Sequence, residues 1–200
     1  MSKPKFYVVW QGRKPGIYTT WAECEAQVKG FKDAKYKSFT NEAWASQAFS
    51  AGWDATIGKP NPLPPEVIAD STSVDAACDG SPGNLEYRGV HTATGQQLFH
   101  TGPLKNGTNN LGEFLAIVDA LKLLQAQGKN SPVYSDSKNA LMWVKEQYIG
   151  SKLPRNGQTE HIWRLADEAL VWLKNNNPAN PLLKWNTEAW GEIRADFGRK

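Results

Sequence analysis

The sequence predicts an α/β fold: a mixed five-stranded sheet with helices, preceded by a small α+β N-terminal domain. Three observations carry this. Between residues 51 and 67, Gly52, Gly58, Pro60, Pro62, Pro64 and Pro65 stop helix and central strand alike and favour a semi-extended linker. Ahead of it, residues 1–50 alternate short strand patterns with short helical ones. Behind it, in residues 68–200, strand patterns separated by turn residues come first, and strands separated by helical runs follow. Three antiparallel strands followed by helix-separated strands make a mixed sheet.

In the N-terminal part, Lys5–Trp10 (KFYVVW) reads as a strand and Gly16–Thr19 as a second. Thr20 or Trp21 opens a helix to about Lys29, a short strand lies near Tyr36–Ser38, and a helix covers about Asn41 to Phe49. Fifty residues are few for an independent core, and Tyr7, Trp10, Trp21, Trp44 and Phe49 are the candidates to build it. Beyond the linker, Ser73–Cys78 is a strand that ends in the turn Asp79–Gly80. Tyr87–Thr92 and Gln97–Gly102 form two further strands around Thr94 and Gly95. Residues 110–127 turn helical, with Leu111, Phe114, Leu115, Val118 and Leu121 on one face. Ser131–Ser135 is a fourth strand, Lys138–Tyr148 a helix, Glu160–Asn175 a long helix and Leu182–Asn186 the fifth strand. Glu188–Phe197 is expected as a last helix.

Composition narrows the function classes. Hydrophobic residues make up 40% of the chain and mean hydropathy is −0.56, as for a soluble globular protein. No run approaches the roughly 18 apolar residues of a membrane span, and the start MSKPKFYVVWQGRK lacks the apolar centre of a signal peptide. A cytoplasmic protein with no membrane partner is expected. Cys24 and Cys78 fall in different predicted domains, which argues against a disulfide or a cysteine metal site. Residues 1–50 hold eight Lys/Arg and four Asp/Glu, and the rest is near neutral. That imbalance suits a polyanion-binding appendage, although ordinary scatter of charge gives the same number.

Four acids stand out: Asp75 in SVDAACDGSPG, Glu113 in GTNNLGEF, Asp136 in YSDS and Asp196 in EIRADFGRK. Several lie in or beside apolar segments, where an unpaired carboxylate is costly, and a divalent metal pair is the usual reason to draw carboxylates together. Each also has an ordinary explanation. Asp75 sits inside a strand pattern where aspartate is disfavoured, and its rival Asp79 belongs in a D-G turn. Glu113 stands where a helix-capping glutamate could stand, yet points away from the Leu111/Leu115/Val118 stripe. Asp136 follows a strand end, where α/β folds place ligands, but could cap the next helix, as could Ser135 or Ser137. Glu192 and Asp196, four apart, would share a face of the last helix, which could equally be a solvated face softened by Arg194 and Arg199.

In order, spacing and flanking residues, these acids resemble the D-E-D-D set of type 1 ribonucleases H. The resemblance covers about residues 68–200; the glycine-rich turn with Pro82 seven residues after Asp75, the GTNNxGEF segment and YSDS carry it. Residues 4–50, through GRKPGIYxxW and AKYKSF, resemble the small hybrid-binding domain found ahead of some of these enzymes. The resemblance implies the ribonuclease H sheet order and an endonuclease that hydrolyses the RNA strand of RNA–DNA hybrids, leaving 5′-phosphate and 3′-hydroxyl ends. It implies two Mg²⁺ ions, with Mn²⁺ able to substitute, on Asp75, Glu113, Asp136 and Asp196, and Glu192 assisting product release or metal exchange. Gly80, Ser81, Asn109 and Glu113 would line the RNA strand. Thr108, Asn110 and Ser151 would form a DNA-phosphate pocket, and Trp143 would pack on deoxyribose unless it is a core residue. In the N-terminal domain Trp21 and Tyr36 would lie on DNA sugars and Lys37 on a phosphate, the alternative being that both aromatics are core. Double-stranded RNA is a further expected partner of that domain, and the protein is expected as a monomer. The histidine that many relatives carry before the last helix has no counterpart in His91, His100 or His161, so Glu192 is the candidate stand-in. A non-catalytic hybrid- or double-stranded-RNA-binding protein and a related-fold DNA nuclease are the competing readings.

Overall fold

The computed structural model describes residues 5–57 and 63–198. The chain divides into two compact units, Met1–Pro64 with Glu188–Gly191, and Pro65–Thr187 with Glu192–Lys200. Gly58, Pro60 and Pro62 of the expected linker, and Arg199, lie outside the described residues. No helix among the described residues is long and apolar enough to cross a membrane.

The first unit is built on β1 (Phe6–Gln11), β2 (Gly16–Tyr18) and β3 (Lys35–Phe39), with α1 (Trp21–Val28), α2 (Glu42–Ala51) and the single turn α3 (Trp53–Thr56). The antiparallel sheet has the order β2-β1-β3. Side chains alternate along β1: Val9 packs with Cys24 and Val28 of α1, whereas Val8 packs with Phe39 and with Trp44, Ala45 and Ala48 of α2. One helix therefore covers each face. Both starts are written locally. Thr20 accepts a bond from the Glu23 amide in a reciprocal capping box, and Asn41 accepts from the Trp44 amide. Two expectations need correction. The linker does not begin at residue 51: α2 runs to Ala51, and Trp53 meets Trp10 edge-on at 5.4 Å between ring centres. Trp21 and Phe49 are not core residues, being 44% and 37% exposed; Val8, Val9, Cys24 and Phe39 take that place.

The second unit holds β4 (Thr72–Cys78), β5 (Gly83–His91), β6 (Gln97–Gly107), α4 (Asn109–Ala126), β7 (Val133–Ser135), α5 (Lys138–Glu146), α6 (Glu160–Asn176) and β8 (Leu182–Lys184). Its five strands lie in the order β6-β5-β4-β7-β8. β4, β5 and β6 are antiparallel, and β4 with β7 and β7 with β8 are parallel. This is the expected mixed five-stranded sheet. β6 runs on past Gly102 through Pro103, because it is an edge strand and the missing N–H breaks no ladder. α4 is buried on nearly every side from Leu111 to Val118 rather than along one stripe; it lies at the centre of the core, among residues of β4, β5, α5 and α6.

The last expected helix does not form. Only α7 (Thr187–Trp190) is helical, and Gly191 follows with φ of +75°, outside the helical region. Residues 191–198 then run as turns and irregular chain, so Glu192 and Asp196 do not share a helix face.

Candidate active site

The site forms where two parallel strands part. β7 pairs with β4 only through Thr72–Val133 and Ser73–Tyr134. Beyond Ser73 the β7-side edge of β4 is open, and the Ala76 amide would be an orphan donor there. Glu113 fills this gap: its Oε1 accepts from the Ala76 amide at 3.3 Å, and Oε2 accepts from Ser135 Oγ at 3.4 Å. Its neighbour Gly112 makes this approach possible. A Cβ there would stand 2.3 Å from Leu85 Cδ1 and 2.9 Å from Ala76 Cβ, so a larger residue would force Leu85, Ala76 or α4 itself to shift. The capping role belongs instead to Thr108, which accepts from the Leu111 amide.

Asp136 follows β7 directly. Ser137, not Asp136, caps α5 by accepting from the Ala140 amide, so the aspartate is not used as the cap. Asp75, Glu113 and Asp136 each bring a carboxylate oxygen into a group spanning no more than 4.8 Å. Asp75 is 8% and Glu113 2% exposed. Burial, then the Asp136 charge, push the Asp75 carboxyl up to about 6, with Asp196 adding to the effect. Burial, followed by the Asp75 and Asp136 charges, holds Glu113 well above the usual carboxylate range. Asp136 is raised by burial and by Glu192 and Asp196, against the pull of Lys184. Neighbouring carboxylates that resist ionisation together, with oxygen-only donors, fit a hard divalent cation whose charge would relieve the repulsion.

Asp196 lines a cavity of about 290 Å³ with Asp75, Asp79, Asn109 and Phe197. The tail that bears it is tied to the sheet: Phe197 donates its amide to Asp75 Oδ2 at 3.3 Å, and the Asp196 amide donates to the Ile193 carbonyl in a turn. Asp79 has a turn role, accepting from the Asn84 amide at 2.5 Å and from Asn84 Nδ2 at 2.7 Å.

A second cavity of about 540 Å³ gathers Ser81, Thr108, Asn110, Trp143 and Ser151, beside the amide end of α4. Gly80 and Ser81 are exposed in the turn after β4. Trp143 is largely buried, 4% exposed and packed near Phe114 at 6.4 Å between ring centres, and what remains accessible of it lines this cavity. In the first unit, Trp21 and Tyr36 are 44% and 41% exposed and lie 5.9 Å apart, with Tyr7 5.7 Å behind Trp21. Lys37 does not join them. Tyr36 and Ser38 pair with Val9 and Tyr7, whereas Lys37 pairs with Val8 on the α2 side and extends over Phe39. Lys184 has no place among the residues expected from sequence. Its ammonium donates to the Trp185 carbonyl at 2.6 Å, and its charge acts on Asp136 because β8 pairs with β7 at Ser135–Lys184.

Residues 5–49 match the family model described as the ribonuclease H1 N-terminal domain. The relatives the chain matches are described as ribonuclease H or ribonuclease H1. The chain is 65% identical over 37 residues to a ribonuclease H of Crithidia fasciculata, which is 18% of this chain and 8% of that protein. It is 45% identical over 58 residues to ribonuclease H1 of Homo sapiens, 28% of this chain and 20% of that one. The match therefore spans a fifth or less of these relatives. Among solved structures, LC11-RNase H1 isolated from compost is similar over 60% of this chain and 86% of its own, at 20% identity and a TM-score of 0.42. The same enzyme in complex with RNA/DNA hybrid is similar over 57% and 81%, at 18% identity and a TM-score of 0.35.

Proposed function

We propose that this chain is a metal-dependent endonuclease that hydrolyses the RNA strand of RNA–DNA hybrids, leaving 5′-phosphate and 3′-hydroxyl ends, with the N-terminal unit as a hybrid-binding appendage. The observation that carries the reading is the convergence of Asp75, Glu113 and Asp136 in a gap of the sheet, with Asp196 on the wall of the adjoining cavity. These four residues would hold two Mg²⁺ ions, for which Mn²⁺ could substitute. When bound, the ions supply an activated water and neutralise the charge that develops on the phosphate and leaving oxygen. Glu192, whose charge acts on Asp136, assists release or exchange.

The chain's own residues select the substrate. Asn109 lines the carboxylate cavity and, with Gly80, Ser81 and Glu113, would meet the RNA strand, where 2′-hydroxyls mark RNA. Thr108, Asn110 and Ser151 share the second cavity, and the first-turn amides of α4 favour an anion there. That supports a DNA-phosphate pocket. Trp143 supports its wall from the core. Trp21 and Tyr36, exposed and adjacent, offer a face for sugars or bases, and Lys37 would have to reach a phosphate around the edge of β3. The similarity of residues 5–49 to the ribonuclease H1 N-terminal domain supports this division of labour.

Cleavage of labelled RNA–DNA, RNA–RNA and DNA–DNA duplexes, with and without EDTA, tests the proposal. RNA cleavage confined to the hybrid and abolished by EDTA is expected. Binding without cleavage would leave a non-catalytic hybrid-binding protein, and cleavage of DNA duplex would indicate a related-fold DNA nuclease.

A further inference from the structure

Asp196 stands apart among the four acids: Asp75 and Glu113 lie within β4 and α4 and Asp136 directly follows β7, whereas Asp196 sits in a segment without regular structure. Residues 191–198 are irregular, yet Ile193 and Ala195 are buried. Besides the Phe197 bond to Asp75, Arg88 ties this segment to the sheet. β5 pairs Arg88 with Asp75 on one side and, through β6, with His100 on the other, so the three side chains form a row across the sheet. From this row Arg88 Nε donates to the Ala195 carbonyl at 2.8 Å and Nη2 to the Asp196 carbonyl at 2.6 Å. The same guanidinium lies over the Phe197 ring, 4.6 Å from its centre. Phe197 then returns its amide to Asp75 and its ring to His100, 6.2 Å away. Arg88 is thus bonded to the backbone of one candidate ligand while its strand partner is another.

We propose that Arg88 is a positioning residue of the metal centre, acting through the tail Ala195–Phe197 to hold the Asp196 carboxylate against Asp75. It replaces the helix that this segment lacks. Arginine fits because its planar fork presents parallel donors to two successive carbonyls and its flat face to a ring. Lysine could satisfy only part of this.

The inference rests on the metal-dependent reading above, and its test separates the two. Full-length wild type, Arg88→Lys and Arg88→Ala are compared by amide hydrogen exchange, by Mg²⁺ titration without nucleic acid, and by hybrid cleavage. Arg88→Ala is expected to speed exchange at residues 195–198 at least tenfold, leave the amides of β4 and α4 protected, and weaken Mg²⁺ binding about tenfold. Its kcat should fall ten- to a hundredfold at fixed Mg²⁺ and recover in part at higher Mg²⁺, with KM unchanged; Arg88→Lys should lie between. Unchanged tail exchange would overturn the proposal, as would a loosened tail with wild-type Mg²⁺ affinity. So would a uniform loss of protection across the sheet, which would make Arg88 a scaffold residue. If the wild type cleaves no hybrid, the proposed function fails, while exchange and Mg²⁺ titration still decide the role of Arg88.

Discussion

At the scale of single residues, the carboxylate gap makes predictions about both chemistry and stability. Asp136→Asn keeps the size and removes one charge. Activity should fall by several powers of ten while hybrid affinity survives, because affinity rests on phosphate and sugar contacts; near-normal turnover would remove Asp136 from the mechanism. Asp75→Asn should abolish cleavage. Asp79→Asn, at a side chain that accepts from Asn84 in the turn, should change single-turnover rates little, and the reverse pattern would place the metal site on the wrong aspartate. The same burial sets a pH dependence. Asp75 releases its proton near the ordinary 3.8 when unfolded but near 6 when folded. Between these values the folded protein holds more protons, so metal-free stability is full below the lower value and falls as pH rises through the window. The loss is on the order of 3 kcal/mol. Denaturation in EDTA should show this slope between pH 4 and 6, Asp75→Asn should flatten it, and Mg²⁺ should raise Tm more at pH 7 than at pH 4.5. An identical slope in the variant would mean that Asp75 ionises freely.

At the scale of elements, the site depends on how closely α4 lies on β4 and β5. Gly112 is unfavourable in a helix by roughly 1 kcal/mol relative to alanine, so its place within a strong helix needs a packing reason. Leu85 and Ala76 supply it. Gly112→Ala should destabilise the protein by about 1–2 kcal/mol, the overpacking outweighing the gain in propensity. Because Glu113 is the next residue, activity should fall by at least tenfold under conditions where the variant is fully folded. A stabilised variant with normal turnover would show that the helix does not need this approach. The elements also differ in how legible they were. α1, α2 and α5 announce themselves through Thr20, Asn41 and Ser137, whose side chains bond the next turn's amides whatever the tertiary setting. The run Glu188–Phe197 looks equally helical, but Gly191 takes a positive φ and the carbonyls of Ala195 and Asp196 are held by Arg88. Long-range bonds won there over local preference.

At the scale of the whole chain, the basic N-terminal part and the near-neutral remainder suggest that binding and chemistry are divided. Base or sugar stacking on an exposed aromatic contributes about 1–3 kcal/mol. Trp21→Ala with Tyr36→Ala should therefore weaken hybrid binding at least tenfold, with kcat at saturating substrate unchanged and circular dichroism confirming the fold. Deleting residues 1–60 should do the same and reduce processivity, since the tether no longer concentrates the hybrid. It should also make the salt dependence of binding shallower, because fewer phosphates are neutralised. Equal affinity and equal salt slope for the full and shortened chains would leave the N-terminal unit as a partner-binding or structural appendage.

The sequence alone determined the order of strands and helices, the two-part organisation, and Asp75, Glu113, Asp136 and Asp196 as the acids to follow. The first two follow from local or periodic properties, namely alternation, capping side chains and turn residues; the acids stand out through the resemblance of their order, spacing and flanking residues to a known carboxylate set. Only the tertiary structure decided which face each neighbour presents. Lys37 lies opposite Tyr36 because β1 pairs with β3 in that register, and Trp143 turns into the core because α5 packs on α4. Lys184 stands beside Asp136 because β8 joins the sheet next to β7. Arg88 had no signal in the sequence at all; its role exists only because residues 107 and 108 positions further along the chain return to lie across its strand.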